Sequence, residues 1–323
     1  FGITVIVSAN LQTGSHFCIS RGMRYIKQEL QAFHPRNTVV VPLFVEGLYK
    51  QVWAAVRTQK KEKAVKALIA FSRLLLRLGI DLRRRLFRQV LAGFGGQLEM
   101  VISGGAPLDP EYVQRYRDFG IHLLNGYGMT ECSPVVGVNR VAHYRDGSVG
   151  MPFEGPSVAK ILRPDENGIG ERAIKSDIVM KGYYNRPEET AAVFEDGWLK
   201  SGDLGYMDKE GFIFITGRSK NLIILSSGKN ISPEELELLV ARLEDVKEVV
   251  VRQEGDSILA EVFPEYGAAQ PTEEEKQQVQ QRIRTGIAEI NHQLPMHKVM
   301  EKVVFRDEEF EKNTSKKIKR TVE

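Results

Sequence analysis

Two short apolar strands, each running directly into glycine, bracket a helix-length segment in the middle of this 323-residue chain. The first covers Leu98 to Ser103 and enters Gly104-Gly105-Ala106-Pro107; the second, Ile121 to Leu124, enters Asn125-Gly126-Tyr127-Gly128-Met129-Thr130-Glu131-Cys132-Ser133-Pro134. A helix over 109–119 joins them. Strand, helix and strand in that order favour parallel pairing, which sends both following loops to one edge of the sheet. That edge is where an open α/β sheet receives a ligand. The second loop is chemically equipped for a nucleotide. Gly126 and Gly128 allow close backbone approach, Tyr127 offers a flat face to a base, Thr130 reaches a phosphate oxygen and Glu131 ligates magnesium, all on one tight turn. Taken alone, Thr130 and Glu131 serve equally well as a helix cap.

Upstream, the β-rich runs Ile3 to Val7 and Thr38 to Val45 flank a helical pattern from Met23 to Phe33, a further βαβ arrangement. Residues 50–92 are helical in pattern and basic: Lys60, Lys61, Lys63, Lys66, Arg73, Arg77, Arg83, Arg84, Arg85 and Arg88 are set against Glu62 and Asp81. Leu68, Phe71, Leu75 and Leu78 predict its apolar stripe. The basic region 60–88 is either a solvated face on a core helix or a peripheral contact with anionic lipid or acyl-CoA.

Past residue 140 the texture changes to short apolar runs broken by Gly and Pro, which suits a small β-barrel or distorted antiparallel sheet over 140–219. A third region, 220–323, opens with the helix start Ser232-Pro233-Glu234-Glu235, Ser232 being the N-cap and Pro233 the first helical residue. Helix 233–242, strands 246–252 and 257–263, an acidic helix over 273–291 and a strand over 302–305 make an α+β unit of domain size.

Composition narrows the class. A net charge of +3 and a pI near 8.7 are too mild to indicate nucleic acid. Cys18 and Cys132 form neither a metal-ligand spacing nor a disulfide framework, so a reducing cytoplasm fits best. The longest apolar run, within 39–45, is far shorter than a membrane span, and no charged-then-apolar leader is visible. The chain begins Phe1-Gly2 without Met, which suggests a piece of something longer.

Eight ordered motifs resemble those of the acyl-adenylate-forming ligases. Ser103-Gly104-Gly105-Ala106-Pro107-Leu108 and Tyr127-Gly128-Met129-Thr130-Glu131 come first. Gly170-Glu171, Val179 to Asn185 and Gly197 to Asp203 follow, then Gly211 to Lys220, Ser227-Gly228-Lys229-Asn230 and Thr314 to Arg320. Any one is a weak signal; their order along nearly the whole chain is specific. The segment Val41 to Tyr49 and the run Lys220 to Ile223 leading to Ser226 are similar to the long-chain fatty acyl-CoA synthetase branch.

The resemblance implies an α/β protein: an incomplete large α/β domain over 1–139, the barrel-like β-rich subdomain and a mobile α+β C-terminal domain. The reaction it implies joins a fatty acid to ATP as acyl-adenylate, then passes the acyl group to CoA. Glu131 would hold Mg2+, with Thr130 on the phosphate; Tyr127 and Ile215 would enclose the adenine, and Asp203 and Arg218 would bind the ribose. Lys317, the lysine before Ile-x-Arg, would bridge acyl and phosphate oxygens. Gly104, Gly105 and Ala106 leave room for ligand. Rotation about the hinge Lys220 would replace the Lys317 loop by the Gly228-Lys229 loop beside CoA. Without the motif order, Asp203 reads as a turn residue, Arg218 as a surface charge and Lys316 to Arg320 as a basic tail.

Two departures qualify the match. The family's Ser/Thr/Gly-rich phosphate loop ending in Lys does not precede Gly104, so the chain looks like the C-terminal part of a synthetase, inactive in the full reaction. Lys316 stands where the family usually has Gly, which makes it a rival to Lys317, though the Ile318-Lys319-Arg320 register favours Lys317. Other adenylate-forming ligases, acting on acyl-carrier protein, aryl acids or amino acids, and a non-catalytic acyl- or nucleotide-binding module are the alternatives.

Overall fold

Proline ends the first strand of the sheet and starts the helix after it. In the computed structural model, which describes residues 7, 9–22, 24–153, 158–226, 228–267, 271–313 and 317–320, helices α1 (Ala9–Thr13) and α2 (Ile26–Phe33) precede strand β1 (Asn37–Val40). Helix α3 (Pro42–Thr58) then begins with Pro42 in its first turn. The expected β run through Val45 is therefore corrected: proline has no N–H to lose at a helix start and a fixed φ that suits one. Ile3 to Ile6, Met23 and Lys316 lie outside the described residues.

The basic segment is four helices, α3, α4 (Glu62–Arg77), α5 (Arg83–Leu86) and α6 (Arg88–Ala92). In α4 the face packed on the core is Val65, Leu68 and Ile69, with Ser72 buried beside them, whereas Phe71 and Leu78 are exposed. The predicted stripe is thus displaced around the helix. Part of the basic charge is structural. Arg73 makes two parallel bonds to Asp118, 2.8 and 2.7 Å, and Arg84 donates to the Leu98 carbonyl at 2.8 Å.

Strands β2 (Met100–Ser103) and β3 (His122–Tyr127), joined through α7 (Pro110–Asp118), continue the sheet in the order β1-β2-β3-β4-β5, with β4 (Gly137–Val138) and β5 (Met151–Pro152) at its end. The first three strands are parallel, and their registers set Val40 beside Ser103 and Ser103 beside Asn125, so the parallel pairing stops level across them while β3 runs two residues further. Asp109 caps α7, accepting the Glu111 N–H at 2.9 Å. Phe87, Phe94, Tyr116 and Phe119 fill the core under this sheet, and the buried Tyr116 hydroxyl donates to the Val45 carbonyl at 2.7 Å. Such a partner removes the cost of burying a phenol with its ring.

The glycine-broken region forms a second sheet of β6 (Val158–Leu162), β7 (Gly170–Lys175), β9 (Trp198–Met207) and β10 (Ile213–Arg218) in the order β10-β9-β7-β6; β8 (Phe194–Glu195), which follows α8 (Pro187–Val193), pairs with β9. Last come β11 (Ile223–Ile224), β12 (Asn230–Ile231), α9 (Pro233–Val240), β13 (Val246–Glu254), β14 (Ser257–Pro264), α10 (Glu273–Gln293) and β15 (Met300–Phe305). Strand β14 pairs antiparallel with β13 and parallel with β15. Leu236, Val240, Val251, Ile283 and Ile287 form the core beneath them. Ser232 is the N-cap of α9 by backbone conformation but gives no side-chain cap bond, whereas Thr272 and Glu275 form a full capping box on α10.

The chain divides into two compact units. The first comprises Phe1–Leu162, Ala173–Ser201 and Met207–Phe214; the second comprises Arg163–Arg172, Gly202–Tyr206 and Ile215–Glu323.

Candidate nucleotide site

In the first unit the carboxyl ends of β2 and β3 carry the glycine loops. Gly104, Gly105 and Ala106 follow β2 directly; Gly104 is buried and Gly105 exposed. Ser103, the last residue of β2, is buried, and its hydroxyl has no hydrogen-bond partner among the described residues. A buried hydroxyl without a partner is costly, and at this strand end it is a donor ready for a ligand.

Tyr127 is not on the turn, as the glycines around it suggested. It is the last residue of β3, pairing with Gly137 of β4 and packing against the cluster of Cys132, Val136, Ile174 and Leu199. The pairing extends the strand three residues beyond the apolar run, because backbone hydrogen bonding does not need apolar side chains. The turn itself is Gly128-Met129, followed by a 3-10 turn over Thr130–Cys132. Here Gly128 is required: a Cβ would stand 1.8 Å from the Pro134 carbonyl oxygen.

Glu131 is anchored on both sides. Its carbonyl accepts the Met180 N–H at 2.7 Å, and its Oε1 accepts the Tyr183 hydroxyl at 2.9 Å. Burial, then the Glu131 bond, raises the Tyr183 pKa. Thr130 is exposed beside it. Tyr183 falls within the Val179 to Asn185 motif but lies 52 positions from Glu131, and no local pattern links them. Among the described residues no group of three metal-binding side chains occurs. A single carboxylate fits magnesium nonetheless, since that ion is commonly held by one or two carboxylates with substrate phosphates and water.

In the second unit Asp203, Arg218 and Lys317 come together. Asp203 is buried in β9, and Arg218 Nε stands 2.8 Å from its Oδ1 at the end of neighbouring β10. The Lys317 pKa is lowered, first by burial, then by the Arg218 charge, with Asp203 opposing. Lys317 as a whole residue is exposed, so this burial concerns its ammonium end. Its backbone is fixed: Lys317 N–H donates to Asn313 Oδ1 at 3.0 Å, and Asn313 N–H to the Lys317 carbonyl at 2.9 Å. Ile215 is half-buried in β10, and Lys220 lies exposed in the 3-10 turn Ser219–Asn221. Gly228 and Lys229 occupy the loop between β11 and β12, where Lys229 stands 3.9 Å from Glu166, another residue the sequence did not single out.

The family model described as AMP-binding enzyme matches residues 1–184, and the one described as AMP-binding enzyme C-terminal domain matches residues 220–323. A long-chain-fatty-acid–CoA ligase of Bacillus subtilis is 40% identical over 191 residues, covering 55% of this chain and 34% of its own length. A protein of the same name from Yersinia pestis is 36% identical over 235 residues, covering 69% and 39%. This chain thus spans little more than a third of either relative. Among solved structures, the didomain of a carboxylic acid reductase from Segniliparus rugosus in complex with AMP shares the fold, with a TM-score of 0.69 at 22% identity over 94% of this chain and 41% of that one.

Proposed function

Since this chain belongs to the AMP-binding enzyme family, we propose that it carries the adenine, ribose and catalytic-lysine elements of an AMP-forming long-chain fatty acyl-CoA ligase. The observation that supports this most is the meeting of Asp203, Arg218 and Lys317, three motif residues more than a hundred positions apart at the extremes, in one charged cluster. Buried Asp203 is suited to accept from two ribose hydroxyls while Arg218 donates to the same sugar. The fatty carboxylate attacks the α-phosphate of ATP and pyrophosphate leaves. Lys317 supplies a cation to the oxygens that come together, offsetting the repulsion of two anions. Bound magnesium would add charge neutralisation on the phosphates; Glu131, held by Tyr183, would be its ligand and Thr130 would be a phosphate partner. Tyr127 and Ile215 would flank the base, with Gly104, Gly105 and Ala106 leaving it space.

The second step, attack of the CoA thiol on the acyl-adenylate carbonyl with release of AMP, needs a different set of groups. A turn of the C-terminal region about Lys220 would bring Gly228 and Lys229 into use and withdraw Lys317. For the enzyme expressed from its full open reading frame, fatty-acid-dependent exchange of pyrophosphate into ATP, followed by CoA-dependent AMP release, tests the reading. Glu131→Gln should raise the magnesium needed for half-maximal exchange by about tenfold. An unchanged magnesium requirement would remove Glu131 from the site, and exchange driven by aryl or amino acids instead of fatty acids would move the chain to another branch.

A bilayer contact rests on a separate observation. Phe71 and Leu74 on α4 and Leu78 at its C-cap are exposed, as are Lys63 and Arg77 on the same helix and Arg85 on α5. Apolar and cationic side chains together match an anionic lipid surface. No helix among the described residues is long and apolar enough to cross a membrane; the contact proposed is a peripheral one, made by a cytoplasmic enzyme. The full-length enzyme should co-sediment with vesicles containing phosphatidylglycerol, and Phe71→Glu with Leu78→Glu should abolish this without lowering activity in detergent-free solution. Equal sedimentation of the double variant, or none by the parent, would mean that this face is covered otherwise.

A further inference from the structure

We propose that Arg320 is the positioning residue for Lys317: it clasps the segment that carries the lysine onto α9 and β13, at a seat shared with the residue following Lys220. The proposal rests on the reading of Lys317 given above. Arg320 donates through Nη2 to Glu237 Oε2 and through Nη1 to the Val251 carbonyl at 3.2 Å. The other oxygen of Glu237 accepts the Val251 N–H at 2.7 Å, so helix, strand and tail meet at one carboxylate. Glu234, one turn earlier on α9, lies 3.7 Å from the same guanidinium and accepts from Asn221 Nδ2 at 2.6 Å. Asn221 adjoins Lys220, so the tail and the candidate hinge are held by one pair of side chains.

The seat also reaches the ribose-binding strand. A Cβ on Gly217, next to Arg218, would come 2.7 Å from Glu234 Oε2 and 2.6 Å from Ser232 Oγ. Only glycine lets β10 lie this close to the start of α9. Arg320 is three residues beyond Lys317, and the stretch between is pinned at both ends: Lys319 N–H donates to the Glu311 carbonyl at 2.8 Å, and Ile318 bridges to Lys312. Burial raises the Glu237 pKa to about 7 against the pull of the Arg320 charge. Arg320 holds this largely buried carboxylate in its charged form beside Glu234; without the cation Glu237 takes up a proton and the tail loses its anchor.

The test compares Arg320→Ala with Arg320→Met combined with Glu237→Gln, a pair that leaves Glu237 uncharged when the cation is gone. Each is made in the full-length enzyme beside Lys317→Ala. Both should lose about tenfold or more in acyl-adenylate formation, with KM for ATP and the conversion of supplied acyl-adenylate to acyl-CoA unchanged. Amide hydrogen exchange at Asn313, Lys317 and Lys319 should accelerate. Adding either change to Lys317→Ala should cost nothing further, because the side chain being positioned is already gone. Retained adenylation, equal loss of both half reactions, or unchanged exchange in this segment would overturn the clasp. If Lys317→Ala itself keeps adenylation, it is the reading of the lysine that fails, and the exchange rates alone then decide whether Arg320 seats the segment.

Discussion

Lys317→Ala is expected to lower acyl-adenylate formation by on the order of 10²–10³ while leaving thioester formation from supplied acyl-adenylate intact. The split follows from where the charge is needed. Two anions combine only in the first step; in the second a neutral carbonyl is attacked and AMP leaves. A pH profile gives an independent check. Lysine acts here as a cation, so the rate falls as pH rises through its pKa, and because burial and Arg218 lower that pKa the fall should begin below the range of an ordinary lysine, about 10.4. Arg218→Met removes a repelling charge and should move the descending limb to higher pH; Asp203→Asn removes an attracting one and should move it to lower pH. The expected measurement is kcat for pyrophosphate exchange with ATP saturating, so that altered ribose binding does not enter. A limb that stays in place in both variants would separate Lys317 from the Asp203–Arg218 pair. If Lys316→Ala gives the half-reaction split instead, the register of the tail is off by one.

Much of this architecture was legible because it depends on local rules. The apolar runs before Gly104 and Gly126 announced parallel strands with loops at one edge, and the parallel pairing of β1, β2 and β3 does stop level there, although β3 itself runs on to Tyr127. Ser232-Pro233 marked a helix start that α9 observes. Where sequence reasoning failed, two local rules competed. In Val41 to Val45 the β-branched residues argued for strand, but Pro42 favoured a helix start. Tyr127 sits among glycines yet remains in a strand, because β4 offers it a partner. On α4, periodicity established the helix but not which side faces the core: Leu68 and Phe71 both fit the period, and only packing makes the first half-buried and the second exposed.

The candidate site was legible in its motif residues and opaque in their supports. Asp203, Arg218 and Lys317 were named from order along the chain, which carries no distances. Tyr183, which holds Glu131, and Glu237, which holds Arg320, are 52 and 83 positions from their partners. A side chain that acts by fixing another has no spacing rule of its own, since any element that packs nearby can supply it. Arg320 illustrates the limit: it was useful for deciding the register of Lys317, while its own contacts depend on how α9 and β13 pack.

Gly128→Ala should do the greatest damage of any single methyl group added near the first-unit loops. Its Cβ would meet the Pro134 carbonyl oxygen at 1.8 Å and the Val135 Cα at 2.8 Å. Both are backbone atoms, so the clash cannot be relieved by rotating a side chain, and the chain on either side of Thr130–Cys132 must move. Overpacking of this kind costs about 1–3 kcal/mol and sometimes more. The shift would also carry Glu131 away from Tyr183, so adenylation should fall together with thermal stability. Gly47→Ala is the control. It lies inside α3 with nothing within 4 Å of its added Cβ, and alanine in a helix interior is favoured over glycine by about 0.5–1 kcal/mol. The paired expectation is a lowered melting temperature for Gly128→Ala and an equal or raised one for Gly47→Ala, measured by calorimetry on the same full-length enzyme. A Gly128→Ala variant as stable and as active as its parent would show that the loop relaxes freely, and that Thr130 and Glu131 are not held where a nucleotide would need them.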